Sequence, residues 1–161
     1  MGVNAVQTWL EKKSPTTPPQ LLILDVIVPS YRVQMKYFEP IIKLNKSPTS
    51  STMVIIIVDN PVSPDVDLLK KYERDPFIRI RVHNSNIGAS LTRNRGLRES
   101  AADYVLFLDD DVTPDPNILL ECEKVIRQYP GACGFVGNTK FPDPTPSIAT
   151  SAITMWGGTF F

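Results

Sequence analysis

The chain contains few of the residues that build disulfide frameworks or zinc sites. Its 161 residues include two cysteines, Cys122 and Cys133, and a single histidine, His83. So small a set forms neither a disulfide scaffold nor a Cys/His zinc site. Because both cysteines fall in apolar surroundings, we predict that they are small buried side chains in a reducing compartment.

The chain also lacks an excess of charge and a long apolar run. Lys plus Arg and Asp plus Glu number 17 each, so no basic excess favours nucleic acid or an anionic membrane. No apolar run approaches the roughly 18 residues of a membrane span, and the N-terminus lacks the features of a signal peptide. We expect a cytoplasmic protein without a membrane segment or, within a longer protein, one at the cytosolic face of a membrane.

Proline divides the chain into two parts. A proline-rich connector at 14–20 follows a short amphipathic helix predicted at 3–13. The chain as a whole is 42% hydrophobic, which is enough for one core. We therefore assign residues 1–20 to a helix and connector, and residues 21–161 to one domain.

Apolar runs of strand length alternate with helical patterns along that domain. The continuous aliphatic composition of the runs indicates strands buried on both faces. We predict strands at 21–28, 52–58, 77–82, 104–108 and 132–136, and helices at 32–45, 64–74, 88–101 and 116–129. In the last helix, Asp115 is the expected N-cap, and the expected buried stripe is Ile118, Cys122, Val125, Ile126 and Tyr129. The alternation predicts a three-layer α/β/α fold with a mostly parallel sheet.

Polar residues follow each of the first four predicted strands. They are 29–31, 59–61, 83–88 and 109–111. Ligands of parallel α/β sheets bind beyond the carboxyl ends of the strands, so we expect the four segments to meet at one crevice. The helix that starts near Gly88 brings Arg93, and both a helix N-terminus and a guanidinium suit phosphate oxygens.

The segment after the fourth strand is strongly acidic. Asp109, Asp110, Asp111 and Asp115 lie within seven positions. Adjacent carboxylates repel one another unless a cation compensates them, and oxygen ligands suit hard cations such as Mg²⁺ or Mn²⁺. The cluster therefore predicts a divalent metal and an enzyme that handles phosphate.

Four motifs together resemble the family 2 glycosyltransferases of the GT-A fold. They are Val26–Tyr31, Ile57–Asn60, Asn86–Gly96 and Leu108–Asp111, and the resemblance covers about residues 22–138. It implies a Rossmann-like GT-A domain and an inverting, metal-dependent transfer. The implied donor is a nucleotide-diphospho-sugar, by default a UDP-sugar. The sequence does not specify the acceptor among a saccharide, a lipid and a protein.

The resemblance also implies roles for individual residues. The loop at 29–31 and Asp59 would frame the nucleobase, Arg93 would reach the base or diphosphate, and Asp109 would contact the ribose. The implied donor-binding set is Pro29, Ser30, Tyr31, Asp59, Asn86, Gly88, Arg93, Asp109 and Asp110. The implied metal ligands are Asp111 and Asp109.

The chain departs from the family pattern at two places. Asn60 replaces a second acid, and the only acid after the last predicted helix is Asp143, in a proline-rich stretch that favours a turn. We therefore expect the donor-binding half of a glycosyltransferase, truncated at its C-terminus, with the general base beyond Phe161. Two alternatives stay open: a non-catalytic nucleotide-sugar-binding module, and a haloacid-dehalogenase-like phosphohydrolase that uses Asp109 and Asp111.

Overall fold

The computed structural model describes residues 20–140. The helix predicted at 3–13 and the acid Asp143 lie outside the described residues. The strands are β1 (Leu22–Ser30), β2 (Ser50–Ser51), β3 (Val54–Val58), β4 (Ile78–Val82) and β5 (Tyr104–Phe107). The helices are α1 (Met35–Ile42), α2 (Val66–Lys70, continued by a 3-10 turn at Lys71–Arg74), α3 (Ala89–Glu99) and α4 (Ile118–Gln128). Four predicted strands and four predicted helices are thus present, with bounds shifted by a few residues.

Every strand pairing in the described sheet is parallel. β1 pairs with β3 and β5, and β3 pairs with β4. β2 pairs with the start of β1 at the same offset as β3, because Leu22 lies opposite Ser50 and Val26 opposite Val54. The strand predicted at 52–58 begins only at Val54, after a break at which the Met53 amide donates to the buried Asp25 carboxylate (3.0 Å). The carboxyl ends of β1, β3 and β5 therefore meet at one edge of the sheet.

The two faces of the sheet are covered by different helices. Alternate residues of β1 and β3, such as Val26 and Ile56, pack with α1, α2 and α4 in the main core. Residues between them, such as Ile27 and Ile57, are fully buried on the other face, where α3 packs against β1 and β3. This arrangement confirms the predicted three-layer architecture.

Gly96 allows α3 to lie close to β1. A Cβ atom built on this glycine overlaps the Cγ2 atom of Ile27, which is fully buried in the central strand. Every other residue type carries a Cβ, so only glycine permits this distance between helix and strand. The position of α3 determines where its N-terminal residues lie at the edge of the sheet.

Helix α4 buries a stripe that overlaps the predicted one: Ile126 is buried, and Ile118 and Cys122 are partly buried against the core. The Asp115 carboxylate accepts the Asn117 amide (2.8 Å) in the turn before the helix, which begins at Ile118, two residues later than predicted. Asn117, and not Asp115, therefore directly precedes the first helical residue. The buried side chains are Leu119, Glu123 and Ile126. Tyr129 is 54% exposed, so its predicted place in the stripe was wrong. Since Glu123 is polar, hydrophobic periodicity alone does not identify it as buried.

Glu123 is buried because it is well partnered. It accepts hydrogen bonds from the Thr49 hydroxyl (2.6 Å) and from Arg127 Nε (2.8 Å), and Arg127 also donates to the carbonyl oxygens of Gln20 and Thr49. Burial raises the pKa of the Glu123 carboxyl, but the hydrogen bonds from Thr49, Ser47 and Arg127 outweigh it and lower the pKa to about 2. The carboxylate therefore stays ionised and links α4 to the chain before β2.

The strand predicted at 132–136 is absent, and that prediction was wrong. The chain divides at Gln128 into two compact units, and the described part of the second, residues 129–140, contains no helix or strand. Gly134 interrupts the short apolar run and Gly131 and Gly137 flank it, and glycine weakens a strand. Val136 is fully exposed.

The cysteines differ from one another. Cys133 is exposed, so the prediction that both cysteines are buried was wrong for it, while Cys122 is half-buried on α4. Burial, with a smaller contribution from Glu121, raises the pKa of the Cys122 thiol and keeps it protonated. Within residues 20–140, no helix is both long enough and apolar enough to cross a membrane.

Candidate functional site

A cavity of about 390 Å³ lies at the carboxyl ends of β1, β3 and β5. Ten of its lining residues are those named from the sequence: Pro29, Ser30, Tyr31, Asp59, Asn86, Gly88, Arg93, Asp109, Asp110 and Asp111. Three more complete the lining: Arg32, Ala89 and Thr92. The four segments expected to meet at one crevice therefore do so, whereas the role of each residue remains a prediction.

Asp59 anchors the turn that leads into α3. The carboxylate is 3% exposed, and its two oxygens accept the amides of Ile87 and Gly88, each at 2.8 Å. Gly88 has φ 89°, a left-handed conformation that glycine adopts without steric cost. The Thr92 hydroxyl then donates to the Gly88 carbonyl oxygen (2.8 Å) within the first turn of the helix. Asp59 thus fixes the start of α3 relative to the end of β3.

Asp109 and Asp111 each form an ion pair with an arginine. Asp109 pairs with Arg93 from α3, and Asp111 pairs with Arg32 (3.0 Å) from the loop after β1. Both carboxylates are well exposed, at 56% and 40% of their side-chain surface. Exposed pairs of this kind contribute little to stability, so these side chains can exchange partners at small cost.

Asp110 has a different set of partners. Its Oδ2 atom accepts the Ser30 hydroxyl (2.7 Å) and the amides of Tyr31 (3.1 Å) and Arg32 (3.2 Å). The acidic cluster is therefore compensated by the protein itself. Crowding of the aspartates alone does not require a metal, which corrects the argument made from the sequence.

The chemistry of the lining nevertheless fits a hard cation. No group of three or more His, Cys, Asp or Glu side chains within residues 20–140 is arranged to hold a metal ion. Mg²⁺ and related ions are often held by only one or two carboxylates, with phosphates and water completing the shell. Asp109 and Asp111 are exposed oxygen donors of that type. The lining holds four carboxylates and two guanidinium groups, so it carries net negative charge, which opposes an anionic ligand unless a cation accompanies it.

His83 is not among the residues that line the cavity. It is 9% exposed, and its Nδ1 atom accepts a hydrogen bond from Arg95 Nη1 (3.0 Å). Burial and the Arg95 charge lower the pKa of this imidazole, although Asp59 opposes them, so the ring is neutral at pH 7. The buried Nε2 atom has no hydrogen-bond partner in the described part of the chain. The sequence places His83 at a strand end, but the side chain packs away from the site.

Three lining residues were not identified from the sequence. Arg32 directly follows the loop at 29–31, and its pairing with Asp111 spans 79 positions, which no local pattern indicates. Ala89 and Thr92 belong to the first turn after Gly88. Since residues three and four apart share a helix face, the positions of Gly88 and Arg93 could have indicated both.

The fold and the cavity define an α/β protein with a cavity at the carboxyl edge of a parallel sheet, which is where such folds bind ligands. Residues 25–152 match the family described as Glycosyl transferase family 2, and the chain belongs to that family. The phosphohydrolase alternative is thereby set aside.

Several characterised and uncharacterised proteins are similar in sequence. An uncharacterized glycosyltransferase of Haemophilus influenzae is 37% identical over 105 residues, which are 65% of this chain and 34% of that protein. The poly(ribitol-phosphate) beta-N-acetylglucosaminyltransferase TarP of Staphylococcus aureus is 34% identical over 93 residues, 55% of this chain and 28% of TarP. The chain thus spans about a third or less of the length of these relatives.

Solved structures share the fold at low sequence identity. S. aureus TarS 1-349 in complex with UDP-GlcNAc has a TM-score of 0.60 and 18% identity, covering 79% of this chain and 40% of that one. The mannosyltransferase PcManGT from Pyrobaculum calidifontis, in complex with GDP-Man and Mn²⁺, has a TM-score of 0.54 and 19% identity, covering 74% and 37%. The chain therefore shares its fold with these glycosyltransferases.

Proposed function

We propose that this chain binds a nucleotide-diphospho-sugar together with a divalent cation, as the donor-binding part of an inverting glycosyltransferase. One observation carries the proposal: segments from four strand ends form a single cavity in which two exposed carboxylates, Asp109 and Asp111, lie beside the arginines 93 and 32. Carboxylates for a metal and guanidinium groups for phosphate are the two elements that diphosphate recognition needs.

The electrostatics of the cavity supports binding of donor and cation together. A nucleoside diphosphate is anionic, and the lining of the cavity is net negative. Without a cation, the two would repel each other. Mg²⁺ or Mn²⁺, held by Asp111 and Asp109 and by the diphosphate, would supply Lewis-acid stabilisation of the leaving phosphate. Arg93 and Arg32, released from their ion pairs, would be available to the phosphate oxygens.

The remaining lining residues have roles at the nucleoside. Tyr31 is 55% exposed and lines the cavity, so its ring is available to stack on a base and does not pack under α1. Pro29, Asn86 and Gly88 would complete the wall. We take uracil as the default base. Because similar structures hold either UDP-GlcNAc or GDP-Man, the affinities of this chain for UDP and GDP need to be compared directly.

Calorimetry with UDP tests the binding proposal. We expect UDP to bind in the presence of Mn²⁺ and to bind at least about tenfold more weakly with a chelator. The chelator removes the contact between the metal and the diphosphate, and the loss of one contact to a charged group corresponds to roughly that factor. Asp111→Asn should remove the metal dependence. Asp115→Asn is the matched control, since this aspartate is not part of the cavity lining and asparagine keeps an acceptor oxygen for the Asn117 amide. Equal affinity with and without metal would overturn the assignment of Asp111.

A transfer assay separates the enzyme from a non-catalytic binding module. The proposal assigns Asp109 and Asp111 to the metal, while Asp59 and Asp110 accept backbone amides, so the described lining leaves no carboxylate for a general base. Base catalysis contributes about 10²–10⁴-fold, and we therefore expect residues 1–161 alone to bind donor but to transfer sugar slowly. Rapid multi-turnover transfer by this chain would identify a base within it, with Asp143 as the first candidate.

A further inference from the structure

Asp110 contacts the backbone of the loop that follows β1. Its Oδ2 atom accepts one hydroxyl and two successive amides, from Ser30, Tyr31 and Arg32, which lie 78 to 80 positions away. Successive N–H groups that converge on one oxygen form an anion-binding concavity of the kind that proteins use for phosphates. Here the anion is a side chain of the protein, and it lies between two aspartates that pair with arginines.

The loop held by Asp110 is strained. Val33 has φ 51°, which is a rare conformation for a β-branched residue. Its amide donates to the Ser30 hydroxyl oxygen (3.2 Å), and its side chain is fully buried. Strain of this kind persists only where the surroundings fix the backbone. The Ser30 hydroxyl links the two ends of the loop, because it accepts from Val33 and donates to Asp110.

The loop presents two side chains to the cavity. Tyr31 and Arg32 both line it, and Arg32 Nη2 reaches Asp111 at 3.0 Å. Asp110 therefore holds the backbone of Arg32, while the Arg32 side chain contacts the aspartate next to Asp110. These contacts connect the end of β1 to the end of β5.

We propose that Asp110 is a positioning residue for the donor site, which acts through Tyr31 and Arg32 and does not contact the donor itself. The inference rests on the proposed nucleotide-sugar binding. The sequence implied that Asp110 binds the donor directly, whereas we propose an indirect role. The Asp110 carboxylate keeps the strained loop folded, and the loop carries the Tyr31 ring and the Arg32 guanidinium.

A double-mutant cycle with UDP and Mn²⁺ as the probe tests this role. Loss of hydrogen bonds to a charged group corresponds to about tenfold to hundredfold in affinity, and we expect that loss for Asp110→Ala. In a Tyr31→Ala/Arg32→Ala background, the same substitution should cost less than about threefold, because its effect passes through those residues. Asp110→Asn keeps an acceptor oxygen for the loop and should recover most of the affinity. A full, additive loss in the double-substituted background would indicate direct donor contact and overturn the proposal.

Hydrogen exchange in the absence of ligand gives a second readout. Asp110→Ala should accelerate exchange of the Tyr31 and Arg32 amides at least tenfold, while the Val28 amide in β1 stays protected. Unchanged exchange at both loop amides would refute the positioning role. If Asp110→Ala does not fold, Ser30→Ala, which removes only the hydroxyl link, takes its place in both measurements. Failure of the unsubstituted protein to bind UDP with Mn²⁺ would refute the proposed function, whereas the exchange result would still decide what Asp110 does.

Discussion

Replacing Gly96 with alanine should destabilise the protein, although alanine is the better helix former. Within an α-helix the exchange gains about 0.8–1.0 kcal/mol of helix propensity. At this position, however, the new Cβ overlaps the Cγ2 atom of Ile27 and lies 3.5 Å from its Cβ and Cγ1 atoms. Ile27 is fully buried in the central strand, and a β-branched side chain has little freedom at χ1. Helix and strand must therefore separate.

The magnitude follows from the two opposing effects. Overpacking of a core costs about 1–3 kcal/mol, and an overlap with a rigid side chain on the central strand belongs at the upper end. After the gain in propensity, we expect a net loss of about 2 kcal/mol in the free energy of unfolding. Urea denaturation followed by far-UV circular dichroism measures it. Because α3 also carries Arg93 and begins beside Gly88, UDP affinity in the presence of Mn²⁺ should fall as well.

Two variants control this experiment. Asn94→Ala changes an exposed position of the same helix and should be neutral or stabilising by up to about 0.7 kcal/mol. Ile27→Leu moves the branch away from Cβ at nearly constant volume, so it should recover at least about 0.5 kcal/mol when combined with Gly96→Ala. If Gly96→Ala were as stable as the unsubstituted protein, close packing of α3 on β1 would not be the reason for glycine at this position.

Two further predictions concern buried carboxylates. The pKa of Glu123 is lowered from 4.5 to about 2 in the folded chain, so its stabilisation is present above pH 4.5 and is lost as the pH falls toward 2. The ionised carboxylate contributes up to about 3 kcal/mol to the free energy of unfolding. When that free energy is measured between pH 7 and pH 2, Glu123→Gln should lack this part of the pH dependence. If the variant lost as much stability in acid as the unsubstituted protein, the assignment would be refuted. Asp59→Asn leaves one oxygen for the amides of Ile87 and Gly88, so we expect a loss of about 1–3 kcal/mol in urea denaturation together with weaker discrimination between UDP and GDP. Unchanged discrimination would indicate that the base is recognised elsewhere, with Pro29–Tyr31 as the next candidate.

The order of β1, β3, β4 and β5 followed from the sequence because each is a segment of strand length rich in apolar residues and helical segments lie between them. The two serines of β2 carry no such pattern, and this strand was not predicted. The cavity lining followed from the same pattern. Parallel strands end at one edge, so the polar residues after β1, β3 and β5 had to meet wherever the sheet formed. By contrast, the apolar run at 132–136 was short and interrupted by glycines, and a local pattern of that length does not distinguish a strand from a turn.

The tertiary structure decided how each polar group at that edge is paired. Asp110 binds the loop after β1, Arg32 neutralises Asp111, and His83 turns away from the cavity. The first two pairings join residues about 80 positions apart, and that of His83 depends on how α3 lies against the sheet. Residue type alone identified four carboxylates in a crevice. The packing of the strand ends determined which of these carboxylates are exposed to a ligand and which bind backbone amides of the protein. Asp109 and Asp111 are exposed, whereas Asp59 and Asp110 accept backbone amides.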